Sequence, residues 1–500
     1  MDSAGCWENR FMTVTASLEG LFEVEPGEAR APGSAAPAGA GKTFRGYDQG
    51  QCFLLPPSLD DWLDEDDEAR FISEVVEELL DLTPVYASYA SASGAPPYDP
   101  RMMLKLLLFA YATGVTSSRE LERRCKRDIA FRWLSGNQAP DYRSLARFRR
   151  RHLDALPGLF LQVLRVCAEA GLVRLGRVAL DGTKLAANAS RHKAMSYDRI
   201  VPKIDQLQAE VAALLAEAEA VDEAEDQQFG QDRRGDEVAP ELARREGRLV
   251  KLRAAKDAIE ADAAEKAAAV ARKKADAAGQ PPEQADAAVA TAVDTAAPKP
   301  KAQRNFTDPE ARMMKTVRGF DYAFNAQAVV DEGHQIVLSA EVTQQATDIQ
   351  QFVPMAEQTL RNLDAAGIER SPEVVLADAG YCSEANLEAA DDLDAQVLIA
   401  TGRQRHGESF PTAGAPDPAP EDASRRERMA HALRTEQGRT DYARRKAIVE
   451  PAFGQMKTRQ NAGQLRLRGL AGAQGEWLLH TICHNLRKLR VATAAGLAPA

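Results

Sequence analysis

The chain has 500 residues, of which 44% are hydrophobic, and a formal net charge of −11, so roughly two to four folded units with sizeable cores are expected. No apolar run approaches the ~18 residues of a membrane helix, and the N-terminus lacks the charged-then-apolar pattern of an export signal. The six cysteines (Cys6, Cys52, Cys125, Cys167, Cys382, Cys483) form no C-x-x-C, which argues against a zinc site or a disulfide framework and for reduced thiols in the cytosol.

The net charge conceals an asymmetry. Residues 1–100 carry 5 Lys/Arg against 19 Asp/Glu, or −14. Residues 101–152 carry 13 against 4, or +9, and residues 425–490 carry 15 against 5, or +10. Two basic blocks beside an acidic leader suggest a polyanionic partner.

Residues 1–44 are rich in Pro, Gly and Ala and are expected to be disordered. The run Ala38-Gly-Ala-Gly-Lys-Thr43 resembles a phosphate loop only in part, because Ala36 stands where its first Gly belongs. Order is expected from Tyr47. Helices follow around Ala69–Leu80, at Met102–Thr113 with the stripe Leu104, Leu107, Leu108 and Tyr111, at Arg119–Lys126 and at Asp128–Leu134. After the turn Ser135-Gly-Asn137, Asp141 caps a last helix, Tyr142–Leu153. Arg143, Arg147, Arg150 and Arg151 share one side of it with little acid nearby, which favours DNA contact in a helix-turn-helix arrangement. A helical bundle with a basic outer face is the alternative.

Leu159–Ala170 reads as an amphipathic helix, and Arg177-Val-Ala-Leu-Asp181 as an apolar strand ending on an acid. Residues 201–275 read as two long Ala/Glu/Lys-rich helices in an antiparallel hairpin, turning in 224–238, followed by a flexible Ala/Pro linker from about 276 to 301. Phe320–Val330 and Gln335–Val342 form a β-hairpin around Asp331-Glu-Gly-His334. A helix at Gln351–Ala366 precedes the strand Glu373-Val-Val-Leu-Ala-Asp378, which ends on a second acid. Ser383 caps a helix to Asp391, Ala395–Ala400 is a strand, and 408–424 is a Pro-rich loop.

In Asp441–Lys457, Tyr442, Lys446, Glu450, Phe453 and Lys457 fall near one helical face. That puts one carboxylate among cations, either as a solvated amphipathic helix or as a place where acid meets metal and phosphate. Pro451 is expected to bend or restart the helix. A final helix is expected at about 475–490. The element order makes an α/β sheet of the RNase H type: three antiparallel strands, then parallel strands flanked by helices. In such a sheet the Asp181 and Asp378 strands lie side by side.

Leu180-Asp181-Gly-Thr-Lys184, Leu376-Ala-Asp378-Ala-Gly-Tyr381, and Tyr442-x2-Arg445-x4-Glu450-x6-Lys457 resemble the motifs of bacterial insertion-sequence transposases of the DDE class. Pro140-Asp-Tyr-Arg-Ser-Leu-Ala-Arg-Phe-Arg149 resembles their N-terminal region, so the resemblance spans roughly residues 45–490. The commonest family spacing puts three residues between Arg and Glu, whereas Arg445 is followed by four, so Arg445 and Lys446 compete for one role. The resemblance implies an RNase H-like catalytic core in two parts (173–200 and 302–490), interrupted by the helical hairpin and linker (201–301). It implies a helical DNA-binding domain (45–172) before them, with the leader at 1–44 and a tail at 491–500. It also implies Asp181, Asp378 and Glu450 as ligands of two Mg²⁺ ions (Mn²⁺ substituting), and Lys457 with Arg445 or Lys446 on phosphates. Tyr442 either contacts DNA or packs. The implied activity is cleavage at terminal inverted repeats and strand transfer, by a homodimer on double-stranded DNA in the bacterial cytoplasm, at the nucleoid. Its rivals are an inactive DNA-binding derivative and an RNase H-fold nuclease without strand transfer. Asn188, Asn325 and Gln327 border the site or simply satisfy backbone groups, and His406, His480, His484 and Trp133 read as structural.

Overall fold

The computed structural model describes residues 58–89, 96–229, 240–402 and 422–496. The expectations for the leader 1–44, its glycine-rich run, the onset of order at Tyr47, residues 230–238 of the insert's turn, His406 and nearly all of the 408–424 loop lie outside those residues. The chain divides into two compact units, Met1–Trp62 and Leu63–Ala500. The described part of the first holds one short turn of 3₁₀ helix, Asp60–Trp62.

The second unit is built on a mixed sheet. Its strands are β1 (Arg177–Ala186), β4 (Arg312–Thr316), β5 (Gly319–Asp331), β6 (Val337–Thr343), β7 (Val374–Ala377) and β8 (Gln396–Ile399), while β2 (Ala194–Ser196) and β3 (Gln303–Asn305) pair separately. Across the sheet the order is β6-β5-β1-β7-β8, antiparallel from β6 to β1 and parallel from β1 to β8. β4, absent from the sequence reading, extends the β5 edge beyond β6, with Thr316 paired to Gly319. β5 was expected to alternate, yet it is buried at every residue from Tyr322 to Asp331. The reason is cover on both faces. The helix Phe352–Ala365 packs on β5 and β6, its Phe352 lining one cavity with Val178, Leu180 and Val329, while the helices Glu436–Thr458 and Leu470–Ala494 pack on the other face.

Four of the N-terminal helices start on aspartate caps: Asp67, Asp99, Asp128 and Asp141 each accept a hydrogen bond from a first-turn N–H, a device worth about 1 kcal/mol each. Leu104, Leu107, Leu108 and Tyr111 are all buried, as their spacing requires. One continuous hydrophobic core runs from Leu63 in these helices through the sheet to Ala492. Pro100–Ala112 and Leu156–Glu169 both lie against Leu470–Ala494. A buried polar chain joins the same parts: Arg149 Nη1 donates to Tyr111 Oη (2.7 Å), and Tyr111 donates to Glu476 Oε1 (3.0 Å).

The insert after β1 is the expected pair of long helices, Tyr197–Phe229 and Pro240–Ala277, with its own small cluster of Ile200, Ile204, Leu207, Leu252 and Ile259. The linker expected over 276–301 is a correction. Pro282–Asp294 is a third helix on the second one, with Ala285 buried and Arg272 hydrogen-bonded to Asp286. Alanine is the strongest helix former, and Pro282 sits in the first turn, where its missing N–H costs nothing. A second correction concerns Pro451. The helix Glu436–Thr458 runs through it unbroken. Proline cannot donate to Ala447 O, and Gln335 Nε2 supplies that hydrogen bond instead at 3.0 Å.

Candidate active site

β1 and β7 run parallel with Leu180 opposite Ala377, and the next residue on each is an aspartate. Asp181 accepts from Arg445 Nη1 (2.9 Å) and from the N–H of Gly182 (2.8 Å). Asp378 caps the turn Ala379–Tyr381 by accepting from Gly380 N at 2.8 Å. Burial raises the Asp181 carboxyl to about 6 and the Asp378 charge pushes it the same way, against the pull of Arg445 and the Gly182 N–H. The Asp181 side chain is 21% exposed and Arg445 11%, so the pair lies just under the surface.

The helix Glu436–Thr458 is pinned to the start of β1 by Arg177, whose Nε donates to Asp441 (2.6 Å) while its Nη1 donates to Glu332 (2.9 Å). That anchorage sets the face presented to the acids. Arg445, rather than Lys446, reaches Asp181; Lys446 is exposed. The Arg445 guanidinium lies 6.0 Å from the Tyr442 ring centre, and burial raises the Tyr442 hydroxyl. Lys457 donates to Thr183 Oγ1, two residues along β1 from Asp181. Burial lowers the Lys457 ammonium and Asp181 counters it. Glu450 is exposed on this helix, and no described hydrogen bond or ion pair joins it to either aspartate. The structure thus brings Asp181, Asp378, Arg445, Tyr442 and Lys457 together and leaves Glu450 and Lys446 at the surface.

Beneath β1, on the other face of the sheet, lies a cluster that takes in Asn325 and Gln327, expected at the border of the site, and centres on Asp348, which the sequence reading missed. Asp348 Oδ1 accepts from Lys184 Nζ (3.1 Å), Asn325 Nδ2 (2.7 Å) and Gln327 Nε2 (2.8 Å). Asn325 and Gln327 are fully buried and bind side chains, not merely strand backbone. Asp348 sits in the loop after β6 and belongs to no motif. The only signal was an acid shortly before a helix. Asn188 donates to Arg466 O at 2.7 Å and stands apart from this cluster.

Of the arginines expected on DNA, Arg143, Arg147, Arg150 and Arg151 are all exposed. Arg143 donates to Tyr142 Oη, and Arg151 stacks 4.2 Å from the Tyr89 ring centre. His480 and His484 are core residues: His484 Nε2 donates to Gln335 O (2.8 Å), His480 stacks edge-on against Tyr111, and burial lowers His480 to about 3 and His484 to about 4.

Two family models match the chain: the Transposase domain (DUF772) over residues 57–151 and the Transposase DDE domain over residues 293–486. The chain belongs to the DDE transposases of insertion sequences. No curated protein and no solved structure matches it. Transposases of this class act on DNA, which they cut, work with divalent metal ions, and have RNase H-like cores. In this transposase the matched spans hold Asp348, Asp378, Arg445, Glu450 and Lys457 but not Asp181, which reaches the site through the pairing of β1 with β7. Two adjacent carboxylates, one raised by burial and by its neighbour's charge, suit a divalent cation that prefers hard oxygen donors. Among the described residues no group of three or more His, Cys, Asp or Glu is arranged to hold a metal ion, so the described geometry offers a pair. Also among them, no helix is long and apolar enough to cross a membrane.

Proposed function

We propose that the transposase binds the terminal inverted repeats of its element and cleaves and transfers DNA strands in a Mg²⁺-dependent reaction at Asp181 and Asp378. The observation that supports this reading is the parallel register that sets the two aspartates side by side with Arg445 on Asp181. Asp181 and Asp378, with Glu450 as the third ligand of the reading, would hold two Mg²⁺ ions (Mn²⁺ substituting), and the chemistry supplied there would be activation of the attacking oxygen and stabilisation of the leaving one in each in-line displacement. Arg445 keeps Asp181 ionised and, with Lys457, offers donors to the phosphates flanking the scissile bond. Lys446 and Tyr442 face the same DNA.

The helical part of residues 45–172 carries DNA contact through Arg143, Arg147, Arg150 and Arg151. Segments 173–200 and 302–490 form the catalytic core, and 201–301 is a spacer or interaction element. Pairing two ends calls for a homodimer, working at the nucleoid in the cytoplasm. Incubating the full chain with an end-containing duplex and Mg²⁺, then with a target duplex, tests the reading. Strand cleavage and joining are expected, and Asp378→Asn should abolish both; undiminished cutting by that variant overturns the site. A second reading, a DNA-binding derivative without catalysis, is favoured by the exposed Glu450. The cleavage and joining assay separates the two, because a derivative without catalysis binds the end-containing duplex yet leaves it uncut with Mg²⁺ or Mn²⁺.

A further inference from the structure

Gln327 lies opposite Gly182 in the β1–β5 register, directly beside Asp181. A side chain on Gly182 would collide with Gln327 and stand 2.7 Å from Asp348 Oδ1. The backbone that carries Asp181 therefore rests on this polar cluster, and glycine is what lets it approach. Gln327 has both ends occupied. Its Nε2 donates to Asp348 Oδ1 and to Asn325 Oδ1 (3.0 Å), and its Oε1 accepts from Tyr381 Oη. Because an ionised carboxylate only accepts, Asp348 decides which way this amide points. Reversing the amide would set oxygen against oxygen at Asp348 and deprive the Tyr381 hydroxyl of its acceptor.

Tyr381 closes the turn that Asp378 opens. From the far side Asn386 Nδ2 donates to Tyr381 O and to Ile349 O, both at 2.6 Å, which ties the turn to the residue after Asp348. A methyl placed on Gly380 would sit 2.9 Å from Asp378 Oδ1 and 3.6 Å from Asp348 Oδ2, so the two carboxylates approach one point. We propose that Asp348 is a positioning residue of the strand-cleavage site, which through Gln327 and Tyr381 holds the Asp378 turn against Asp181. This assignment rests on the cleavage reading above. Asp348 Oδ1 takes three donors from two strands, the arrangement of a group that orients its neighbours.

The test is a double-mutant cycle in the full chain with Asp348→Ala and Tyr381→Phe, reading end cleavage and, separately, Mn²⁺ affinity by calorimetry. Each single change should lower kcat and Mn²⁺ affinity by about 10- to 100-fold with KM for the DNA end little changed. The double variant should be no worse than the poorer single one, because both cut one chain. Asp348→Asn, which keeps an acceptor oxygen and the side-chain shape, should recover much of the loss. Multiplying losses, or an Asp348→Ala variant matching the parent in kcat and Mn²⁺ affinity, overturns the proposal while leaving the cleavage reading intact. So does Asp348→Asn as impaired as Asp348→Ala. A parent that neither cuts DNA nor binds Mn²⁺ overturns both. If the parent binds Mn²⁺ but does not cut, only the cleavage reading falls, and the affinity cycle still decides the role of Asp348 in holding the turn.

Discussion

Arginines on one short helix divide between two tasks. Arg149 points inward, donating to Tyr111 and to Thr116 O (3.0 Å), with Glu476 one step further. Arg147 and Arg150 point into solvent. Replacing both of these with Ala should weaken binding to all duplexes alike and flatten the salt dependence by roughly one counterion per contact, measured by anisotropy across a salt series. Glu476→Ala should instead leave a buried guanidinium without a counter-charge and unpair the N–H groups of Arg466 and Leu467. A loss of about 3 kcal/mol in urea unfolding is expected. Glu450→Gln belongs to the same scale. If the exposed Glu450 joins the site only when DNA is bound, the variant should cut at least ~10-fold more slowly yet bind Mn²⁺ like the parent when DNA is absent. The sequence reading placed Asp181 and Asp378 because strand-end acids show in the letters. Arg445 over Lys446 needed the anchoring of the helix by Arg177, and Asp348 needed the register of three strands, neither of which a local pattern carries.

At the scale of elements, one hairpin residue supports two helices. Gln335 sits in the left-handed region at φ 61° between β5 and β6, a conformation that costs a non-glycine residue about 1 kcal/mol. Its side chain donates to Ala447 O and accepts from Lys488 Nζ (2.7 Å), while its carbonyl accepts from His484. Gln335→Ala should cost about 1–2 kcal/mol by leaving Ala447 O without a donor. In a Pro451→Ala background the helix can supply that N–H itself, so the same change should cost clearly less; equal costs in both backgrounds would show that the two residues are uncoupled. The unbroken helix through Pro451 was illegible for this reason, since its remedy lies more than a hundred residues away. The strands β1, β5, β6, β7 and β8 were legible because apolar runs ended by acids, Gly and turn residues survive in the sequence, whereas the short β2, β3 and β4 carry no such run. The helix Pro282–Asp294 was not, because Ala-rich composition between prolines reads as easily as a linker.

For the whole molecule, acid is the vulnerable side. His480 and His484 are held neutral in the core, lowered to about 3 and about 4, whereas in the unfolded chain they take up a proton near the ordinary 6.5. Their contribution is fully present above pH 6.5 and is lost as pH falls from there through the folded values. By pH 5 each should have cost about 2 kcal/mol. Urea midpoints measured from pH 7 to pH 5 should fall, and His480→Phe should shallow that slope even if it lowers stability at pH 7.

Between Asp181 and its neighbour β7 the described chain runs through four α-helices, three of them in the insert, and five strands. On a ribosome adding roughly 5–20 residues per second, Asp181 leaves the tunnel many seconds before Asp378, and longer still before Arg445 and Lys457. During that interval the long helices of the insert can pair among themselves, since they keep a separate hydrophobic cluster. The nascent chain thus exposes its arginine-rich helix to nearby DNA while it still lacks half of its acid pair. If that helix carries DNA contact as proposed, a molecule interrupted within that interval would hold DNA without cutting it and so compete with its finished siblings.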